Sequence, residues 1–236
     1  MYTMKRTVRC SNIGFGGKIR LSALIDLLQD CAYDHLQNEP VLTPYFERTG
    51  NVMFLVSRQA DILRLPDYNE QLEVSTWCYE LKRMYGYRNT VIKDSSGNIC
   101  VREVEIGAFA ELDTQKPVKI SEELVQSVQK EPKIDMQYLP RKITLPENEP
   151  DSVIKVPVHS FYIDMYSHVN NARYLDMIDD LLPKDKSVKG IRTEYKRPLK
   201  YGADALIKVW NRQGSEVFSV LDSNNEVCCN LEVTFV

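Results

Sequence analysis

Asp164-Met165-Tyr166-Ser167-His168-Val169-Asn170-Asn171-Ala172-Arg173-Tyr174 joins a predicted strand, 153–161, to an amphipathic helix predicted over 171–182. This junction decides the fold, because the chain contains it twice. The helix is read from Tyr174, Leu175, Ile178, Leu181 and Leu182, whose spacing by three and four residues places them on one apolar face. Strand-like runs follow at 189–197, 203–212, 216–222 and 226–236, with a hairpin signal at Arg212-Gln213-Gly214-Ser215. The earlier copy starts with a strand at 4–11. A glycine-rich turn, Asn12-Ile13-Gly14-Phe15-Gly16-Gly17, then leads to a helix over 22–36. Leu21, Leu24, Ile25, Leu28, Cys31, Ala32 and Leu36 form that helix's buried stripe, and Ser22 is its candidate N-cap. Strands are predicted at 52–65, 71–82, 84–93 and 99–112, separated by Pro66-Asp67-Tyr68-Asn69 and Asp94-Ser95-Ser96-Gly97-Asn98.

Each copy therefore reads as strand, loop, helix and four-strand meander, an α+β layer in which a long helix is wrapped by a curved antiparallel sheet. A hot-dog module has that order. Two in one chain form an internal pseudo-dimer with their sheets joined edge to edge. An all-β barrel with decorating helices is the alternative. A short helical segment at 121–128 ends the first module, 1–128. The run 129–152, with Pro132, Pro140, Pro146 and Pro150, reads as a linker. The second module is 153–236.

Composition excludes several classes of function. The chain has 236 residues and a formal net charge of -3, so no global field draws it to nucleic acid or to an acidic membrane. No run of eighteen apolar residues is present, and MYTMKRTVRCSN lacks the apolar core of a secretory signal. A cytoplasmic location is expected, with neither a nucleic-acid nor a membrane partner. Cys10, Cys31, Cys78, Cys100, Cys228 and Cys229 contain no C-x-x-C pair, which implies reduced thiols and no zinc site. No metal and no cofactor is implied.

The 164–174 loop brings together a carboxylate, an imidazole and two amides. Asn170 or Asn171 can cap the helix, leaving free amides of its first turn to polarise a carbonyl. Asp164 is placed to activate a water beside that carbonyl. The set suits acyl transfer to water, although an aspartate before a helix also serves as a turn or capping residue. The first copy has no matching carboxylate between Asn12 and Lys18, so one reaction centre per chain is expected.

Over nearly its whole length the sequence resembles the plant and bacterial acyl-[acyl-carrier-protein] thioesterases, double hot-dog enzymes. Three segments carry the likeness: Asn12-Ile13-Gly14 with the helix that follows it, Phe54-Leu55-Val56-Ser57-Arg58-Gln59, and the Asp164 loop, which is similar to the family's D-x-N-x-H-V-N-N-x-x-Y signature. The resemblance implies hydrolysis of fatty acyl-[acyl-carrier-protein] to free fatty acid, with acyl carrier protein as partner and possible homodimers. Acyl-coenzyme A hydrolysis and non-catalytic acyl binding are the alternatives. Asp164 would act as general base or as nucleophile, and His168 would hydrogen-bond the carboxylate, the water or the leaving thiolate. The signature fails at Tyr166. Either its phenol replaces the asparagine as donor, or it turns away and backbone amides carry the oxyanion; the second is favoured.

Plant members carry an acidic residue and a cysteine after a Y-R-R stretch, whereas Tyr195-Lys196-Arg197 here precedes Pro198 and Leu199. A cysteine nucleophile is thereby disfavoured. Glu194, on the face of Pro198 if the strand is unbulged, is a candidate carboxylate or an ordinary strand-end charge. Met53, Phe54, Trp77 and Tyr79 are candidate acyl-pocket walls. Lys82, Arg83 and Arg88, or Lys196, Arg197 and Lys200, would meet an acidic carrier protein. His35 and His159 read as packing or surface residues.

Overall fold

The computed structural model describes residues 1–202 and 204–236. Strand β1 (Tyr2–Thr7) precedes helices α1 (Leu21–Gln37) and α2 (Leu42–Thr49). Four strands follow: β2 (Asn51–Ile62), β3 (Gln71–Leu81), β4 (Tyr85–Asp94) and β5 (Ile99–Glu111). After α3 (Glu122–Ser127) the order restarts with β6 (Ser152–Pro157) and α4 (Arg173–Ile178). It ends in β7 (Val188–Tyr195), β8 (Asp204–Arg212), β9 (Ser215–Leu221) and β10 (Val227–Phe235). The expected start of a strand at Ala203 lies outside the described residues.

All ten strands form one sheet in the order β1-β3-β4-β5-β2-β7-β10-β9-β8-β6. Its two halves mirror each other about the antiparallel β2–β7 seam, where Ser57 pairs with Glu194 and Asp61 with Gly190. The protein is thus a tandem hot-dog pair joined edge to edge. Leu24 and Leu28 of α1 and Ile178 of α4 are fully buried in one core with Ile92, Ile191, Ile207 and Leu231 of the sheet. Burying each such side chain contributes roughly 2 kcal/mol. Arg173 of α4 clamps the two helices by pairing with Asp26 of α1 and, at 2.7 Å, with Asp176.

Three local expectations need correction. Ser22 is buried inside α1 rather than capping it; Arg20 holds the N-cap position without a side-chain bond. The second helix is short. It gives way after Ile178 to a tight turn over Asp179–Leu181, because two aspartates oppose the negative helix end and Pro183 cannot follow in helical geometry. Lys184 Nζ accordingly donates to the Asp179 carbonyl at 2.6 Å. Helix α2 was unforeseen: the Glu39 carboxylate accepts from the Val41 amide at 2.8 Å and from the Leu42 amide, and left-handed Gly50 (φ 67°) ends the helix.

The proline-rich run 129–152 lies along the back of the sheet, opposite the helices. Trp77 Nε1 donates to the Pro132 carbonyl at 2.8 Å, Tyr138 to Asn89 Oδ1 at 2.9 Å, and Trp210 Nε1 to the Asn148 carbonyl at 2.9 Å. The sheet is therefore covered on both faces, which explains apolar and amide side chains where an exposed back face would carry charge.

Candidate active site

The loop ahead of α4 is built by its own backbone. A tight turn at Ser160–Tyr162 leads to an isolated bridge between Ile163 and Val169. Across that bridge the Asp164 amide donates to the His168 carbonyl at 2.8 Å, and the Ser167 amide to the Asp164 carbonyl at 3.0 Å. Closing so tight a turn puts Ser167 at φ 62°. Two long-range bonds anchor the far side: Asn170 N to the Tyr162 carbonyl and Val169 N to the Leu199 carbonyl, both 2.8 Å.

Within this frame, Asp164 Oδ1 accepts from the Tyr166 amide at 2.9 Å and from the His168 amide at 3.4 Å. Asn170 Oδ1 accepts from the Ala172 amide at 2.9 Å in an Asx turn just ahead of α4, whose own N-cap, Ala172, makes no side-chain bond, so neither Asn170 nor Asn171 caps the helix. The amides of Tyr166, His168 and Ala172 are thus engaged, and a six-residue helix adds little dipole. The Ala172 amide is therefore closed to an oxyanion, and the side chains of Asn170 and Asn171 stand on the cavity wall. Burial lowers the His168 pKa from 6.5, with Lys200 acting in the same direction and Asp164 against it. The imidazole is therefore neutral at pH 7. Burial, and the neighbouring Tyr33 of α1, raise the Tyr166 pKa.

Asp164, Tyr166, His168, Asn170 and Asn171 all line one cavity of about 910 Å³ that runs between the two halves. Its far wall is apolar: Leu42, Phe46, Phe54, Leu81 and Phe109. Of the four expected wall residues, Met53 and Phe54 are there. Met53 lies over the paired Gly86 and Gly107, where any Cβ would collide with it (2.9 and 2.5 Å). Trp77 and Tyr79 face the back of the sheet instead, Tyr79 beneath Lys133.

Glu194 is likewise not on the cavity wall. Its Oε2 accepts from the Ile143 amide and from Asn230 Nδ2, both at 3.2 Å, on the covered face. Alternation with cavity-facing Tyr195 sends it there. The link to Pro198 fails because the amides of Lys196 and Arg197 both turn to the Cys228 carbonyl, at 2.8 and 3.2 Å, and bulge the chain. Tyr195 was not singled out by its sequence context. Its hydroxyl donates to the Asn171 carbonyl at 3.2 Å and ties the loop to the sheet. Arg88 and His35 are not surface groups either: Arg88 lines the cavity and bonds His35 Nδ1 at 2.6 Å. Lys196 and Arg197 stand at the cavity's edge.

Residues 1–128 match the model of the acyl-ACP thioesterase N-terminal domain, and residues 146–235 match that of the C-terminal domain. The chain belongs to the acyl-ACP thioesterase family. As a member of it, the protein is a thioester hydrolase acting on fatty acyl-ACP. It is 23% identical to the chloroplastic oleoyl-acyl carrier protein thioesterase of Coriandrum sativum, over 98% of this chain and 69% of the relative. To oleoyl-acyl carrier protein thioesterase 2 of Arabidopsis thaliana it is 24% identical, over 83% of this chain and 59% of the relative. Among solved structures, an acyl-ACP thioesterase from Bacteroides thetaiotaomicron superposes with a TM-score of 0.86 at 20% identity, covering 99% of this chain and 97% of that one. The 12:0-ACP thioesterase of Umbellularia californica gives 0.82 at 16% identity, with the same coverage. At these identities the structures establish the fold. Among the described residues, no helix is long and apolar enough to cross a membrane.

Proposed function

We propose that the Asp164 loop is the reaction centre of this family member, and that the chain works as two modules, 1–128 and 153–236, bridged by 129–152, with the chemistry in the second. The observation that carries this reading is the placing of a carboxylate, an imidazole and two carboxamides on the wall of a cavity of about 910 Å³ whose far wall is apolar. Asp164 takes a proton from a water; the water oxygen adds to the thioester carbonyl carbon; Asn170 and Asn171 side-chain N–H groups meet the oxyanion. The tetrahedral adduct then collapses, the carbon–sulfur bond breaks, and the thiolate leaves with the proton returned by Asp164. His168 hydrogen-bonds the water or the departing sulfur.

The handle is acyl carrier protein rather than coenzyme A. Lys196, Arg197 and Lys200 cluster beside the cavity edge, where an acidic carrier would dock. With one acyl length on both handles, kcat/KM is expected to be at least about tenfold higher on the carrier protein. A preference for coenzyme A would overturn the substrate assignment.

A further inference from the structure

The cavity wall that faces α1 is polar. Strands β2, β4 and β5 present Arg58, Arg88 and Glu105 there, beside the apolar stretch formed by Phe46, Phe54 and Phe109. Arg58, its side chain 1% exposed, is held by Glu103 at 2.5 Å and by Glu105. Arg88 is differently placed. Its Nη1 meets His35 Nδ1 at 2.6 Å and Thr76 Oγ1 at 3.1 Å, while its Nε and Nη2 have no acceptor among the described residues. It forms no salt bridge among them, although Glu105 is its cross-strand neighbour. Arg58 Nη1 and, on α1, Gln29 Oε1 are buried without partners.

An unsubstituted acyl chain would set methylenes against Arg88 and leave its Nε and Nη2 desolvated and unpaired. We propose, on the footing of the hydrolase reading above, that the cavity selects an acyl chain bearing a hydroxyl or keto oxygen close to its thioester, with Arg88 donating to that oxygen. The position follows from Tyr195, which lies on β7 two residues beyond Thr193, the cross-strand partner of Arg58, and whose phenol bonds the Asn171 carbonyl of the Asp164 loop. The neutrality of the substituent follows from Glu105: a carboxylate on the chain would be repelled by it, whereas a hydroxyl can accept from Arg88 and donate to Glu105. Sites built to bond a substrate oxygen reject the analogue that lacks it more strongly than apolar pockets reject an extra group.

Matched β-hydroxyacyl, β-ketoacyl and unsubstituted acyl carrier protein thioesters of equal length provide the test. The wild-type chain is expected to favour at least one oxygenated thioester by about tenfold or more in kcat/KM, and Arg88→Met to shrink that ratio to about two. Equal or better turnover of the unsubstituted thioester by the wild type overturns the proposal, with no variant needed. Binding gives a reading independent of turnover: in Asp164→Asn, a β-hydroxy fatty acid should raise the melting temperature more than the unsubstituted acid does. Equal shifts overturn the proposal alone. A larger shift with the oxygenated acid, in a wild type that hydrolyses none of the thioesters, supports this subsite and instead sinks the placing of the reaction centre at the Asp164 loop.

Discussion

In the loop ahead of α1, the Gly14 amide donates to the Lys18 carbonyl at 2.8 Å; in the loop ahead of α4, the Asp164 amide donates to the His168 carbonyl at the same distance. The correspondence continues residue by residue. Ile13 bridges Ile19 as Ile163 bridges Val169. The Arg20 amide reaches the Asn12 carbonyl as that of Asn170 reaches Tyr162, and Gly17 (φ 74°) occupies the left-handed position that Ser167 (φ 62°) holds in the other copy. One backbone design thus carries two side-chain sets. In the first, Gly14 leaves room for Arg20, whose side chain folds back over it and donates to the Ser11 carbonyl at 2.6 Å; a Cβ on Gly14 would stand 2.5 Å from Arg20 Cγ. In the second, that space holds a carboxylate fixed by two amides. The lesson is that the hot-dog loop supplies a rigid frame, and that chemistry depends on what fills it.

The comparison can be broken most directly at its acidic member. Asp164→Asn keeps an oxygen for the Tyr166 and His168 amides, so the loop should hold its shape while hydrolysis falls by at least about a hundredfold. Steady-state rates and a melting curve together check this. Adding Gly14→Asp to that variant should restore nothing, since Arg20 occupies the space. Recovered turnover would mean that the frame alone suffices.

Lys18 stands where the second loop has His168. Replacing His168 with alanine is expected to cost about tenfold or more in kcat. Because burial lowers the imidazole pKa from 6.5, the neutral form persists below that pH. The acid-side fall of wild-type kcat/KM should therefore lie below pH 6.5, with activity present above it and lost as the ring takes up a proton. A pH–rate profile with its acid limb unchanged in His168→Gln would remove the imidazole from the reaction.

The smallest effect is expected at Tyr166, the position opposite Gly16. It lines the cavity with Tyr33 of α1 as a neighbour, and Tyr166→Phe should change kcat by less than about threefold. A loss near that of Asp164→Asn would instead make the phenol a donor to the thioester carbonyl.

Much of this molecule was legible before any coordinates. Apolar spacing of three and four marked α1, alternation marked the strands, and the doubled strand-loop-helix order announced the tandem fold; these are local signals, set by which side chains share a face. The Asp164 loop was legible for the same reason, since its residues are neighbours in the chain. What the sequence left open arises between distant segments. The bulge at Lys196–Arg197, which depends on the Cys228 carbonyl, turned a parity argument about Glu194 into an error. Trp77 and Tyr79 were sent to the back face by the 129–152 run that covers it. Arg88 reads as surface charge in its strand and becomes part of the cavity only when α1 lies across the sheet. The sequence determined the elements and the Asp164 loop through periodicity and adjacency. Tertiary packing alone decided which face each strand shows to the cavity and which polar groups are left there without partners, because both depend on what another segment, many residues away, brings against them.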